Sequence, residues 1–223
     1  MRPEPGNRAT IARLAELGVE ATALPLFAVQ PLAWTVPEPA DFDALILTSA
    51  NAVRRGGNGL ARLTALPVYA VGEATAAAAR AAGFDVMTTG SEDAAALLAV
   101  ARAAGAARAL HLGGRESMIT PGTPPADIVH QSIAVYASDP VPVSPRALAV
   151  LIDGIALLHS PRAARQLAAL IDTAGFARHR ITLATLSPSV AAAAGHGWQA
   201  VWTAPIPTDA ALVSFVRDVV HAD

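Results

Sequence analysis

Hydroxyl and amide side chains recur where apolar runs give way to helical patterns. Thr48, Ser49 and Asn51 stand at one such corner, Thr75 follows a second, Ser160 a third, Ser187 and Ser189 a fourth, and Thr208 a fifth. Each lies at a predicted helix start. There the free backbone N–H groups and the positive end of the helix dipole favour an anion, and a nearby hydroxyl adds a donor. In an open α/β sheet such corners lie at the carboxyl ends of the strands, on the ligand side. Taken singly, each residue is also what an ordinary N-cap looks like. The argument for a site rests on their number and on a repeat that sets them on opposing walls.

The repeat is direct. Residues 44–53 read ALILTSANAV and residues 155–164 read IALLHSPRAA, each an apolar strand, a polar corner with Ser49 or Ser160, and a helix-like run. Residues 71–86 (VGEATAAAARAAGFDV) and 185–200 (TLSPSVAAAAGHGWQA) align without a gap, setting Thr75 over Ser189 and Gly83 over Gly197. Two similar lobes are implied, with a cleft whose walls carry strand-end hydroxyls.

Other chemistries are poorly served. The absence of cysteine excludes disulfides, thiolate catalysis and Cys-ligated metals. His111, His159, His179 and His196 are scattered, and no His/Asp/Glu cluster has metal spacing. His159 and Ser160 are adjacent on a strand, so they point to opposite faces and make a poor dyad. Gly56-Gly57-Asn58-Gly59 lacks the lysine and the strand-to-helix context of a phosphate loop. A net charge of −2 without a basic patch argues against nucleic acid and membrane surfaces as partners. The apolar stretches are cut well short of the ~18 residues of a membrane span. The opening MRPEPGNR has no apolar signal region, so a cytoplasmic protein is expected.

The elements that must position these corners follow from periodicity. Hydrophobic content is 53% but aromatic content only 4%, which suits Ala-rich helices packed on Val/Leu/Ile strands. Helices are predicted near 7–17, 50–66, 73–82, 92–104, 145–153, 161–174, 188–196 and 208–220, with Asn7, Ser91, Ser160, Ser187 and Pro207-Thr208 as cap or first-turn residues. Strands are predicted near 22–29, 44–48, 68–71, 86–88, 109–112, 128–136, 155–158, 181–184 and 200–202. Strand–helix alternation of this length implies parallel sheets with covered faces. Two Pro-punctuated apolar segments break the rhythm, residues 23–36 and 133–143. The simplest account has lobe 1 formed by 1–28 plus 144–223, lobe 2 by 37–132, and linker strands at 29–36 and 133–143. Residues 113–125 form the longest stretch without periodicity, a loop of functional length.

The ordered set of motifs resembles the uroporphyrinogen-III synthase family. It comprises Arg2-Pro3, Pro25-Leu26-Phe27-Ala28-Val29-Gln30-Pro31, Thr48-Ser49-Ala50-Asn51-Ala52-Val53, Val71-Gly72-Glu73-Ala74-Thr75-Ala76 and Gly113-Gly114-Arg115-Glu116. It continues through Val135-Tyr136, Ser160-Pro161-Arg162-Ala163, Leu186-Ser187-Pro188-Ser189-Val190-Ala191 and Ala204-Pro205-Ile206-Pro207-Thr208. The resemblance implies two α/β lobes, each a mainly parallel sheet flanked by helices, joined by a two-stranded extended linker. There are two departures. The family opens with an apolar strand ahead of the Arg-Pro corner, whereas this sequence opens at that corner, so the first strand of lobe 1 is expected to lie upstream of Met1. Four or five buried aliphatic side chains at roughly 1.5–3 kcal/mol each would make that strand worth about 10 kcal/mol, comparable to a domain's net stability. Leu186 stands where the family has glycine, which narrows the approach of a ligand to that wall.

The resemblance further implies a cofactor-independent lyase of haem biosynthesis, without metal, that closes the linear tetrapyrrole hydroxymethylbilane with loss of water and inversion of its last ring. A hundredfold preference over the spontaneous closure needs only about 2.7 kcal/mol in the transition state. The substrate carries eight carboxylates, which the strand-end hydroxyls and helix N-termini would hold, with Arg2 and Arg115 as bidentate partners. Tyr136, on the returning linker, is expected to donate a proton to the leaving hydroxide or to position that leaving group; as a weak acid it would accelerate the step only moderately. A monomer is expected, with transient contact to the preceding enzyme of the pathway. The alternative is a non-catalytic two-lobed binder of small anions, or a degenerate regulatory relative.

Overall fold

The computed structural model describes residues 1–90, 93–119 and 127–221. The chain divides into two compact units, Met1–Ala28 with Asp139–Asp223 (unit 1) and Val29–Ser138 (unit 2). It passes from one to the other in β1 (Phe27–Pro31) and returns in β6 (Val129–Pro140).

Unit 2 is built on a six-stranded sheet. Besides β1 and β6 it holds β2 (Ala44–Leu47), β3 (Val68–Val71), β4 (Val86–Gly90) and β5 (Arg108–Gly114), in the order β1-β6-β5-β2-β3-β4. The pairs from β6 to β4 are parallel. Between β1 and β6 the bonds Leu32 N–H to Val135 O and Val141 N–H to Leu26 O have a constant residue-number sum, which makes this pair antiparallel. Residues of β2 alternate between two cores, as a strand period of two requires. Leu45 and Leu47 pack with α2 (Ala50–Arg55) and α3 (Glu73–Ala81), and Ala44 and Ile46 with α4 (Ala94–Ala103). Both faces are therefore covered, the usual condition of a parallel sheet.

Unit 1 holds a parallel three-stranded sheet, β7 (Ile155–Leu158), β8 (Thr182–Thr185) and β9 (Ala200–Thr203), in that order. One face packs on α6 (Pro161–Thr173) and α7 (Pro188–Ala194), the other on α1 (Gly6–Glu16) and α8 (Asp209–Val220). A short helix, α5 (Pro145–Leu148), precedes β7. In α6 the positions Ala163, Ala164, Leu167, Ala168 and Ile171 recur at helical spacing and are all buried. Ser160 caps it by accepting from Ala163 N–H at 3.2 Å, and Pro161 occupies the first helical position.

The structure departs from the sequence-based expectation at several places. The helix expected over 50–66 ends at Arg55 and resumes as a 3-10 helix at Gly57–Leu63, because Gly56-Gly57-Asn58-Gly59 interrupts it. The strand expected over 22–29 begins only at Phe27 and runs on to Pro31. Asn7 is not a cap but lies within α1, whose N-cap is Pro5. Ser91 lies outside the described residues, and Asp93 caps α4 instead through Ala95 N–H and Ala96 N–H. Of the loop expected at 113–125, Gly113 and Gly114 complete β5, Arg115–Ser117 form a 3-10 turn, and 120–126 lie outside the described residues.

Candidate functional site

Each unit gathers its predicted residues at one edge of its own sheet. In unit 2 the register sets Leu47 beside Ala70 and Leu112, and Gly114 beside Tyr136. Thr48 and Ser49, the Gly72 corner that leads to Thr75, Gly114 with Arg115, and Tyr136 therefore share the carboxyl edge of four parallel strands. Gly72 turns from β3 into α3 with φ 73° and ψ 149°, a conformation that only glycine adopts without strain. Ser49 caps α2 through Asn51 N–H at 3.2 Å. Thr75 is buried in the first turn of α3, and Arg115 is exposed beside Glu116.

Behind this edge is a polar network that sequence reasoning missed. His111, fully buried on β5, bridges Thr48 Oγ1 at 3.2 Å and Ser132 Oγ at 3.1 Å, and Ser132 Oγ also accepts from Ile119 N–H. Burial, aided by the charge of nearby His130, pushes the His111 pKa down to about 4, so the ring is neutral and donates through one nitrogen while accepting at the other. The Thr48 hydroxyl is thereby held in place from behind. The two glycines that end β5 make room for this arrangement. A Cβ on Gly113 would stand 2.6 Å from His111 Cε1, and one on Gly114 would stand 2.8 Å from Tyr136 Cζ. Tyr136 is 8% exposed, and its hydroxyl has no hydrogen-bond partner among the described residues.

In unit 1 the register aligns Leu158, Thr185 and Thr203, so Ser160, Ser187 and Thr208 follow strands that end level. Ser160 and Thr208 cap their helices. Ser187 occupies the N-cap position of α7, yet its hydroxyl bonds that of Ser189 at 2.9 Å instead of the backbone, leaving the first turn of α7 without a side-chain cap. Leu186 packs into both cores of the unit. The guanidinium of Arg162 lies 4.3 Å from the centre of the Phe27 ring.

A second unforeseen group centres on Asp209, the first residue of α8. Its carboxylate receives Thr10 Oγ1 at 2.6 Å, His159 Nε2 at 2.7 Å and the guanidinium of Arg13, with Arg2 Nη1 at 3.4 Å. Burial opposes its ionised form, but the bonds from Thr10 and His159 outweigh that and hold the carboxyl below the usual range. Burial also lowers the pKa of His159, against the pull of Asp209. A neutral imidazole that donates from Nε2 to a carboxylate has a bare lone pair on Nδ1, and that atom is buried without a partner among the described residues. Arg2 is thus tied to Asp209 at the start of α8, next to Thr208. The only hint in the sequence was an acidic residue in a first helical turn.

Among the described residues no group of three or more His, Cys, Asp or Glu side chains is placed to hold a metal ion, and no helix is long and apolar enough to cross a membrane. The arrangement offers hydroxyls, two helix N-termini without a side-chain cap (α3 and α7), arginines and the Tyr136 phenol, which is equipment for holding carboxylates and moving one proton.

The family model HEM4, uroporphyrinogen-III synthase HemD, matches residues 8–214. The search of curated proteins finds no match. Among solved structures, the uroporphyrinogen-III synthetase of Helicobacter pylori 26695 is similar with a TM-score of 0.64 at 18% identity, over 88% of this chain and 92% of that one. A mutant uroporphyrinogen III synthase from the extremely thermophilic bacterium Thermus thermophilus is similar with a TM-score of 0.53 at 15% identity, over 97% of this chain and 96% of that one. At such identities the likeness concerns the fold.

Proposed function

The chain belongs to the uroporphyrinogen-III synthase family, and from that premise we propose that it is a cofactor-independent lyase that cyclises hydroxymethylbilane with loss of water and inversion of the terminal ring. The observation that carries the mechanism is the Tyr136 phenol, its ring largely buried and seated against Gly114, its hydroxyl without a hydrogen bond among the described residues, level with the strand edge where Thr48 and Ser49 lie and the corner leads to Thr75. The C–O bond of the hydroxymethyl group breaks as the pyrrole nitrogen pushes electrons toward it. The departing hydroxide takes the Tyr136 proton and leaves as water. An equivalent proton is released when the closing ring regains aromaticity, and it restores the phenol, so the turnover balances.

On this reading the candidate carboxylate-holding positions are Thr48, Ser49, Asn51, Thr75 and Arg115 in unit 2, and Arg2, Ser160, Ser187, Ser189 and Thr208 in unit 1. Holding a flexible chain with its ends close supplies the few kcal/mol that the isomer choice needs, since about 2.7 kcal/mol is a hundredfold preference. The Ser187–Ser189 pair is available to a carboxylate because these hydroxyls bond each other and do not cap α7. On the same reading the protein acts in the cytoplasm as a monomer and receives its bilane from the preceding enzyme.

Replacing Tyr136 with Phe tests the mechanism. Turnover is expected to fall about tenfold or more with unchanged thermal stability, as loss of a general acid predicts. Unchanged turnover would return Tyr136 to a packing role.

A further inference from the structure

We propose that Ser132 and His111 form a one-way hydrogen-bond relay that fixes the Thr48 hydroxyl as a donor at the strand edge, so that both are positioning residues for a carboxylate arriving there. The carboxylate is the bilane's and rests on the proposed reaction, whereas the relay is a property of the folded chain alone. The three side chains share one face of the unit 2 sheet. The register sets Ile46, His111 and Ser132 in one row across β2, β5 and β6, and Thr48, two residues beyond Ile46, lies on the same face. The core on this face is aliphatic, with Ala44, Ile46, Leu98, Ala109 and Ile119 among its members. An apolar side chain would fill the place of His111 at less cost, since a buried imidazole must be hydrogen-bonded.

The direction of the relay follows from its inner end. A backbone N–H can only donate, so Ser132 Oγ accepts from Ile119 N–H at 3.2 Å. The hydroxyl hydrogen of Ser132 then goes to His111 Nδ1 at 3.1 Å, the one acceptor among its described partners. With Nδ1 accepting, the neutral ring carries its hydrogen on Nε2 and donates it to Thr48 Oγ1 at 3.2 Å. Among the described residues the hydrogen of Thr48 itself meets no acceptor. Thr48 is half-buried at the end of β2, so its hydroxyl can reach an incoming group, and it meets that group as a donor.

The relay begins in the segment that carries Arg115. Ile119 follows the 3-10 turn Arg115–Ser117, which is tied back by Ser117 Oγ accepting from Gly114 N–H at 3.1 Å. Gly113 gives the ring its seat, because a Cβ there would stand 2.9 Å from His111 Nε2. An ionised carboxylate accepts and never donates. A Thr48 hydroxyl whose hydrogen pointed inward to His111 would meet it lone pair against lone pair. With the relay running from Ile119 to Thr48 that repulsion is absent, and the corner favours an ionised carboxylate over a donor group.

The test reads the His111 tautomer by two-bond proton–nitrogen NMR correlation at pH 7.5, where the ring is neutral. The hydrogen is expected on Nε2 with Nδ1 bare, and a hydrogen on Nδ1 would overturn the proposal. No substrate is needed, so the relay and the reaction are told apart. The wrong tautomer beside type III product overturns the relay alone, and the expected tautomer beside type I product alone supports the relay and sinks the reaction. Kinetics then test the positioning role. Ser132→Ala is expected to raise KM for hydroxymethylbilane about three- to tenfold with kcat held within about twofold, and to add no rise in a Thr48→Val background. Thr48→Ser, which keeps the hydroxyl, is expected to keep the coupling. Equal rises with and without the Thr48 hydroxyl would show that Ser132 does not act through it and would overturn its role.

Discussion

Acidification provides a quantitative test of the network behind Thr48. His111 is buried between Thr48 and Ser132, with its pKa lowered from 6.5 to about 4. Above pH 6.5 the ring is neutral in both folded and unfolded chains, and its contribution to stability is complete. As pH falls below 6.5 the unfolded chain takes up a proton that the folded one refuses. Stability then drops by about 1.4 kcal/mol per pH unit, about 2 kcal/mol at pH 5 and about 3 kcal/mol by pH 4. Asp43, Asp153, Asp172 and Asp209 are all held below the ordinary carboxylate range. Their contributions persist until pH falls through 3.8 and below; His159 and the Met1 amine, both lowered and both in unit 1, do act between pH 7.5 and 5 but are common to wild type and variant, so the difference between the two isolates His111. Urea unfolding of unit 2 is followed by Trp34 fluorescence at pH 7.5 and pH 5.0, with Trp198 and Trp202 replaced by Phe. His111→Gln is the reference, since it retains one hydrogen bond but cannot titrate. The variant is expected to be less stable at pH 7.5 and to lose about 2 kcal/mol less than the wild type on acidification. Equal losses in the two proteins, or an imidazole that titrates near 6.5 by NMR, would refute the reasoning.

Other outcomes follow from single contacts. Gly114→Ala puts a methyl 2.8 Å from the Tyr136 ring; displacing the phenol is expected to lower turnover by about ten- to a hundredfold, measured by uroporphyrinogen formation. Ser160→Ala removes the cap of α6 and is expected to cost about 1 kcal/mol in urea unfolding, whereas Ser160→Asp restores the cap but raises KM by repelling substrate carboxylates. A KM unchanged in Ser160→Asp would make Ser160 a cap and nothing more. Asp209→Asn removes the carboxylate shared by Thr10, Arg13 and His159; since Asp209 raises the His159 pKa, NMR titration of that ring is expected to move further down.

What was legible in the sequence was local. Ser49, Ser160 and Thr208 cap the helices that follow them, because a cap depends on one residue type and the apolar period just after it. The parallel sheets were legible from strand–helix alternation. What was hidden depends on distant residues meeting. His111 gains its role from Thr48, 63 positions away, and from Ser132, 21 positions away, and only the order β6-β5-β2 brings them together. Thr10 and Asp209 are 199 positions apart and meet because α1 and α8 cover the same face of the unit 1 sheet. Arg2, read as an arm for substrate, contacts Asp209 for the same reason. The glycine pair at the end of β5 was recognised as a motif, but its purpose, clearance for His111 and Tyr136, needed the side chains in place.

The central claim is that this chain sets the outcome of tetrapyrrole closure by holding the substrate's carboxylates while Tyr136 supplies a proton. The direct measurement is incubation with hydroxymethylbilane, oxidation of the products to porphyrins and separation of the isomers by chromatography. The type III isomer is expected to dominate, formed faster than the spontaneous closure. Type I alone, at the rate seen without protein, would contradict the account and favour a protein that binds anions without catalysis.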